Sequence, residues 1–202
     1  MGRLLKATIK RGTMKPAIIV VDMVKDNLRE KSSHPITREG RAILPHLQRL
    51  LKESRKRKIP IIFACDSFME GDFIFRGKMK VHSLRGTKGS EVADELKPEP
   101  TDILLPKRRF SAFFKTDLDM TLRGLGVNTI VVTGMTTEVC VGMTAMDGLC
   151  HDFSVIILED CCASRNKEVQ RSSLNIYRGS SLYPLLRVMT LDEFLKGVSS
   201  VS

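Results

Sequence analysis

Five short runs in this chain are almost solid with valine, isoleucine and leucine: residues 17–21, 59–64, 102–105, 129–133 and 153–158. A weaker sixth covers 186–189. Runs that do not alternate with polar residues are expected of strands buried on both faces, as in parallel sheets covered by helices. The segments between them carry a helical period. Ile43, Leu44, Leu47, Leu50 and Leu51 mark one face of a helix with Pro45 in its first turn. A second helix is predicted over 116–125, stopped by Gly124 and Gly126, and a fourth over 166–177. The third, over 138–150, has Val139, Met143, Met146 and Cys150 as its expected buried stripe. Strand–helix alternation along most of the chain predicts an α/β fold, a three-layer α/β/α sandwich around a parallel sheet. The 202 residues suit one domain, placed at 16–202 after a basic extension at 1–15.

Composition narrows the functional classes. Five of the chain's ten net positive charges fall in the first fifteen residues, and the run Arg55-Lys56-Arg57-Lys58 sits where a helix C-terminus favours cations. With few aromatics and no nucleic-acid motif, the charge predicts solvated faces, so no nucleic-acid partner is expected. No apolar run approaches the roughly 18 residues of a membrane span, and residues 1–15 lack the apolar core of a secretory signal. Five cysteines without metal-type spacing fit a reducing compartment, hence an expected cytoplasmic location.

In open α/β sheets the site forms beyond the carboxyl ends of the strands. That edge gathers Asp22, Asp66, Lys107 and the turn Gly134–Cys140. Asp22 ends the first strand, where a partly desolvated carboxylate suits a general base. Lys107 lies just beyond the third strand, close enough to keep a carboxylate ionised and to favour a thiolate. Cys140 follows a strand–turn–helix junction, near the free N–H groups and positive dipole of a helix start. Those N–H groups also suit an oxyanion. Cys150, on the predicted stripe, reads as core; Cys65, Cys161 and Cys162 adjoin strand ends and read as packing residues.

Three stretches taken together, Ile18-Ile19-Val20-Val21-Asp22-Met23, Lys107-Arg108-Arg109-Phe110-Ser111-Ala112-Phe113 and Thr133-Gly134-Met135-Thr136-Thr137-Glu138-Val139-Cys140, resemble the isochorismatase-like superfamily. The resemblance is to its cysteine hydrolases, the nicotinamidases, N-carbamoylsarcosine amidases and related amidases, and runs over about residues 15–195. It implies a Rossmann-like six-stranded parallel sheet, a homo-oligomer and a catalytic triad of Asp22, Lys107 and Cys140. It also implies a cis peptide between Met135 and Thr136 that aims the Thr136 and Cys140 amides at an oxyanion. The activity implied is hydrolysis of a C–N bond in a small amide, carbamoyl or ureido substrate through a thioester, with no nucleotide or redox cofactor.

Two departures bear on specificity. Nicotinamidases of this superfamily hold a divalent metal through an aspartate and several histidines; here only Asp66 and His82 match, and Phe68 and Phe73 stand where histidines are expected. Two ligands hold a transition metal poorly, so no metal is expected. Asp66 then becomes a loop anchor or substrate contact, and His82 a structural hydrogen-bonding residue. Val24 replaces the usual glutamine after the first aspartate. Phe68, Phe73, Phe75, Phe110 and Phe113 are candidates for an apolar pocket wall, and Arg76 and Arg85 for contacts to an anionic substrate group. The alternatives are a metal-dependent nicotinamidase and a non-enzymatic scaffold used for binding or assembly.

Overall fold

The computed structural model describes residues 13–29, 32 and 34–198. Most of the predicted basic extension therefore lies outside the described residues; Lys15, at its end, donates its backbone N–H to Asn128 Oδ1. The six apolar runs form β1 (Pro16–Val21), β2 (Ile61–Asp66), β3 (Ile103–Lys107), β4 (Thr129–Met135), β5 (Ser154–Ala163) and β6 (Leu186–Met189). Every pairing is parallel and the strand order is β3-β2-β1-β4-β5-β6. The chain steps outward from β1 to β3, then returns to the other side of β1 with β4. The topological switch point lies between β1 and β4, where such sheets place their sites.

Helices α1 (Pro35–Ala42), α2 (Leu44–Lys56), α3 (Leu118–Gly124), α4 (Gly142–Cys150), α5 (Lys167–Arg178) and α6 (Leu191–Val198) cover both faces. Alternate residues of each strand feed two separate cores. Ile18, Val20, Phe63 and Ile156 pack with Leu47 and Leu50 of α2 and Phe194 of α6. Ala17, Ile19, Ile62 and Ile130 pack with Leu118 and Leu122 of α3, Ala145 of α4 and Leu174 of α5. This two-sided burial is why the strands read as unbroken apolar runs. In β5 the pairing with β4 jumps from Ile157 to Cys162, so Cys161 faces the first core although Ile157, also odd-numbered, faces the second.

The third predicted helix needs correction. A π-helical turn, Thr137–Val141, precedes α4, and the buried face is Cys140, Val141, Thr144, Ala145 and Gly148. Met143 and Met146 are 46% and 40% exposed, and Cys150 lies on the surface instead of in the core. The face was predicted by hydrophobicity, but the sheet selects small residues: a Cβ on Gly148 would stand 2.4 Å from Ile130 Cδ1. Helix α1 was not predicted, because its buried residues are Thr37 and Gly40 and it offers no apolar stripe. The second predicted helix begins at Leu118, two residues late.

Candidate active site

Three strand ends meet at the switch point. The chain leaves β1 at Asp22 with φ +54°, and its carboxylate accepts the backbone N–H of Asp66 at the end of β2. Beside it β4 passes through Gly134 at φ +100°, where a Cβ would stand 2.1 Å from the Val21 carbonyl oxygen. Only glycine allows the two strands this approach. The Met135–Thr136 peptide that follows is cis, and the π-helical turn then delivers Cys140, 9% exposed, to the same edge. Gln170 of α5 braces this turn: its Oε1 accepts from Thr137 Oγ at 2.5 Å and Ser164 Oγ at 2.9 Å, and its Nε2 donates to Cys162 O at 3.0 Å.

Lys107 comes from the end of β3, paired in register with Asp66 of β2. It is fully buried. Its ammonium lies 2.8 Å from Asp22 Oδ2, 2.5 Å from Asp66 Oδ1 and 3.2 Å from the Arg109 carbonyl oxygen. Three protons face three acceptors. Asp22 Oδ1 accepts the Asp66 backbone N–H at 2.8 Å, and the carboxylate also faces the Cys140 thiol. Burial pushes the Asp22 carboxyl up to about 8, with the Asp66 carboxylate adding to the rise and Lys107 opposing it. Burial also works against the Lys107 charge, but Asp22 and Asp66 outweigh it and hold the ammonium above its ordinary range. Burial, then Asp22, raises the Cys140 thiol as well, against the pull of Lys107. The cluster holds a neutral thiol beside a carboxyl group of raised proton affinity, with one fixed cation to compensate whichever of them ionises.

A cavity of about 150 Å³ opens onto this cluster. Asp22, Asp66, Thr136 and Cys140 form its inner wall, and Phe68 and His82 reach it from the loop at 67–90. That loop is clamped to the end of β3 by Asp72, which pairs with Arg108 at 2.7 Å and Arg109 at 3.3 Å and accepts the Met69 N–H. Among the other predicted pocket residues, Phe73 is 70% exposed and Arg76 lies against its ring, away from the cavity. Arg85 donates to Ser67 Oγ behind the wall. Phe113 is buried in the second core, stacked on His151 at 4.8 Å. Sequence reasoning missed Asn27, Ile36, Met79 and Val139, all of which line the cavity. Asn27 had a signal, a polar residue just past a strand end; its Nδ2 donates to the Asp22 carbonyl oxygen. Ile36 belongs to α1, which offers no apolar stripe, and the helical period puts Val139 on a core stripe.

Asp66 Oδ1 is engaged by Lys107 and His82 Nδ1 by the Lys80 carbonyl oxygen. Phe68 and Phe75 meet the His82 ring edge-on at 5.4 and 6.0 Å. Among the described residues no group of three or more His, Cys, Asp or Glu side chains is placed to hold an ion.

The family model of the isochorismatase domain matches residues 16–192. The chain belongs to the isochorismatase family. An isochorismatase-like hydrolase from Alkaliphilus metalliredigens is 35% identical and superposes with a TM-score of 0.81, covering 90% of this chain and 98% of that one. N-carbamoylsarcosine amidase from Thermoplasma acidophilum is 31% identical with a TM-score of 0.75, covering 88% and 96%. Ureidoacrylate amidohydrolase RutB of Pantoea ananatis is 35% identical over 118 residues, 58% of this chain. That match spans 42% of the relative's length. As a member of the isochorismatase family, the chain has its strand-end cluster at the switch point of a sheet shared with these relatives.

Proposed function

We propose that this protein is an amidohydrolase that cleaves the C–N bond of a small amide, carbamoyl or ureido compound through a Cys140 thioester, without a metal. One observation carries the reading: Asp22, Lys107 and Cys140, far apart in sequence, share a buried cluster at the wall of a small cavity. The amidohydrolase and amidase names of two relatives support the reaction class. In its ionised form, which Lys107 favours against burial, Asp22 takes the thiol proton as the sulfur attacks the carbonyl carbon. A carboxylate whose proton affinity approaches that of a thiol is matched to this transfer. Lys107 stabilises the charge as it moves from oxygen to sulfur. The Thr136 and Cys140 backbone amides receive the oxyanion. Asp22 returns the proton to the departing nitrogen, then deprotonates a water that opens the thioester and frees the acid and the thiol. The unpaired state of all five cysteines supports a reducing, cytoplasmic location. Exposed Phe114, Met143, Met146 and Ile176 support self-association into a homo-oligomer.

Intact-protein mass spectrometry after rapid quenching with a panel of small primary amides and terminal ureas tests the chemistry. The expected result is an acyl or carbamoyl adduct on Cys140, lost in Cys140→Ala together with turnover and retained in Cys150→Ala. Equal turnover by the two variants would exclude Cys140 as nucleophile.

A further inference from the structure

Between the pairs Val132–Ile157 and Gly134–Cys162, β4 supplies Thr133 alone while β5 supplies residues 158–161, so the pairing of the two strands is broken beside the catalytic turn. Such an irregularity takes backbone groups out of the ladder. Gln170 of α5 meets two of the carbonyls: its Nε2 donates to Cys162 O at 3.0 Å and to Glu159 O at 3.3 Å. Its Oε1 accepts from Thr137 Oγ1 at 2.5 Å and from Ser164 Oγ at 2.9 Å. A side-chain amide has two protons to donate and two lone pairs to offer, and a carbonyl cannot donate, so this amide is saturated and its orientation fixed. Two turns further along the same face of α5, Tyr177 donates its hydroxyl to the Thr137 carbonyl oxygen at 3.4 Å. Gly142 permits that approach, because a Cβ there would stand 2.0 Å from Tyr177 Oη. Between the two, Leu174 anchors this face of the helix in the second core.

Thr137 is fully buried and opens the π-helical turn, directly after Thr136 and within the same turn as Cys140. The bonds inside the turn hang from the Thr136 carbonyl oxygen, which accepts the Val139 and Val141 N–H groups at 3.1 Å. The two amides assigned to the oxyanion therefore lie on either side of the residue that Gln170 and Tyr177 grip. Such donors act only when held where the charge will develop, and a displacement of about 1 Å can cost about 10²-fold in rate. We propose that Gln170 is a positioning residue for the hydrolysis, tying the turn that carries Thr136 and Cys140 to β5 and keeping their N–H groups aimed at the oxyanion. This deepens the amidohydrolase reading and rests on it. Gln170 is not part of the cavity wall and acts through Thr137.

The test uses three variants. Gln170→Met keeps the length of the side chain and removes all four bonds, Thr137→Val keeps the shape and removes the bond to Gln170, and Thr137→Ser retains the hydroxyl. With propanamide and methylurea as substrates, kcat should fall about 10²-fold in Gln170→Met and about tenfold in Thr137→Val, with KM moving less than about threefold and Thr137→Ser staying within about threefold of the native protein. Hydrogen exchange read by mass spectrometry needs no turnover and reports the brace itself. The amides of 134–141 should exchange about tenfold faster in Gln170→Met and Thr137→Val, and those of 17–21 in β1 at the native rate. Native turnover that neither variant lowers, a loss carried by KM, or exchange that rises equally in both segments would each overturn the proposal. A native protein that turns over neither compound counts against the amidohydrolase reading, and the exchange pattern then decides the brace alone. If Gln170→Met fails to fold, the two Thr137 variants carry the comparison.

Discussion

Lys107 is the one cation in the buried cluster of Asp22, Asp66 and Cys140, and its removal would leave Asp22 and Asp66 facing each other across an empty site. Breaking a buried ion pair by deleting one partner costs about 3–5 kcal/mol, because the remaining charge has neither water nor a counterion. Lys107→Met is therefore expected to lower the stability of the protein by about that much, measured from the urea midpoint at neutral pH. A loss below about 0.5 kcal/mol would place the ammonium among weak surface pairs. At this scale the sequence was informative wherever a residue ends a strand: Asp22, Asp66 and Lys107 were legible because an apolar run fixes where the strand stops. It was uninformative for side chains carried by the loop at 67–90. Phe68 turns in and Phe73 turns out: Phe68 is bonded through its backbone to Ser83 and Arg85, whereas Phe73 opens a 3₁₀ turn next to the Asp72 clamp.

Among the elements, the closest constraint is the contact of β1 with β4. Gly134 sits in the left-handed half of backbone space and against the Val21 carbonyl, so Gly134→Ala meets both torsional strain and a steric clash. Strain alone at such a position costs about 1–3 kcal/mol, and parting the strands would displace Asp22 relative to the π-helical turn. The variant is expected to lose at least about 2 kcal/mol and most of its turnover. Gly86→Ala, also at positive φ but facing open space, should lose only about 1–2 kcal/mol and keep its turnover, as a thermal melt and an assay would show. The six strands and the parallel sheet were legible because two-sided burial writes itself as continuous apolar sequence. The phase of α4 was not, since the π-helical turn shifts the register of everything after Thr137 and close packing on Ile130 favours Gly148 over methionine. Helix α1 was invisible for a related reason: Gly40 faces the core because a larger residue would strike Met135 and Leu28.

For the whole molecule, the buried cluster couples global stability to pH in a direction unusual for an aspartate. Asp22 is raised from 3.8 to about 8 on folding, so between those values the native state holds a proton that the unfolded chain releases. Stability from this group is therefore fully present below about 4 and declines as pH climbs to about 8. Asp72 works the other way. Arg108 holds its carboxyl well below the ordinary range, so its contribution is present above 3.8 and disappears on acidification. Burial of Cys65 and Cys162 raises both thiols, which adds a further decline above their ordinary value of 9.0. The opposing slopes place the stability maximum on the acid side of neutrality, between about pH 4 and 6. Urea melts at pH 5 and pH 8 should give the higher midpoint at pH 5. Asp22→Asn, which removes the titrating group but leaves Lys107 its Asp66 partner, should bring the two midpoints together. A midpoint that rises from pH 5 to pH 8 in the native protein would mean that Lys107 outweighs burial and keeps Asp22 ionised throughout, and the carboxylate would then be too weak a base for the thiol proton it is assigned.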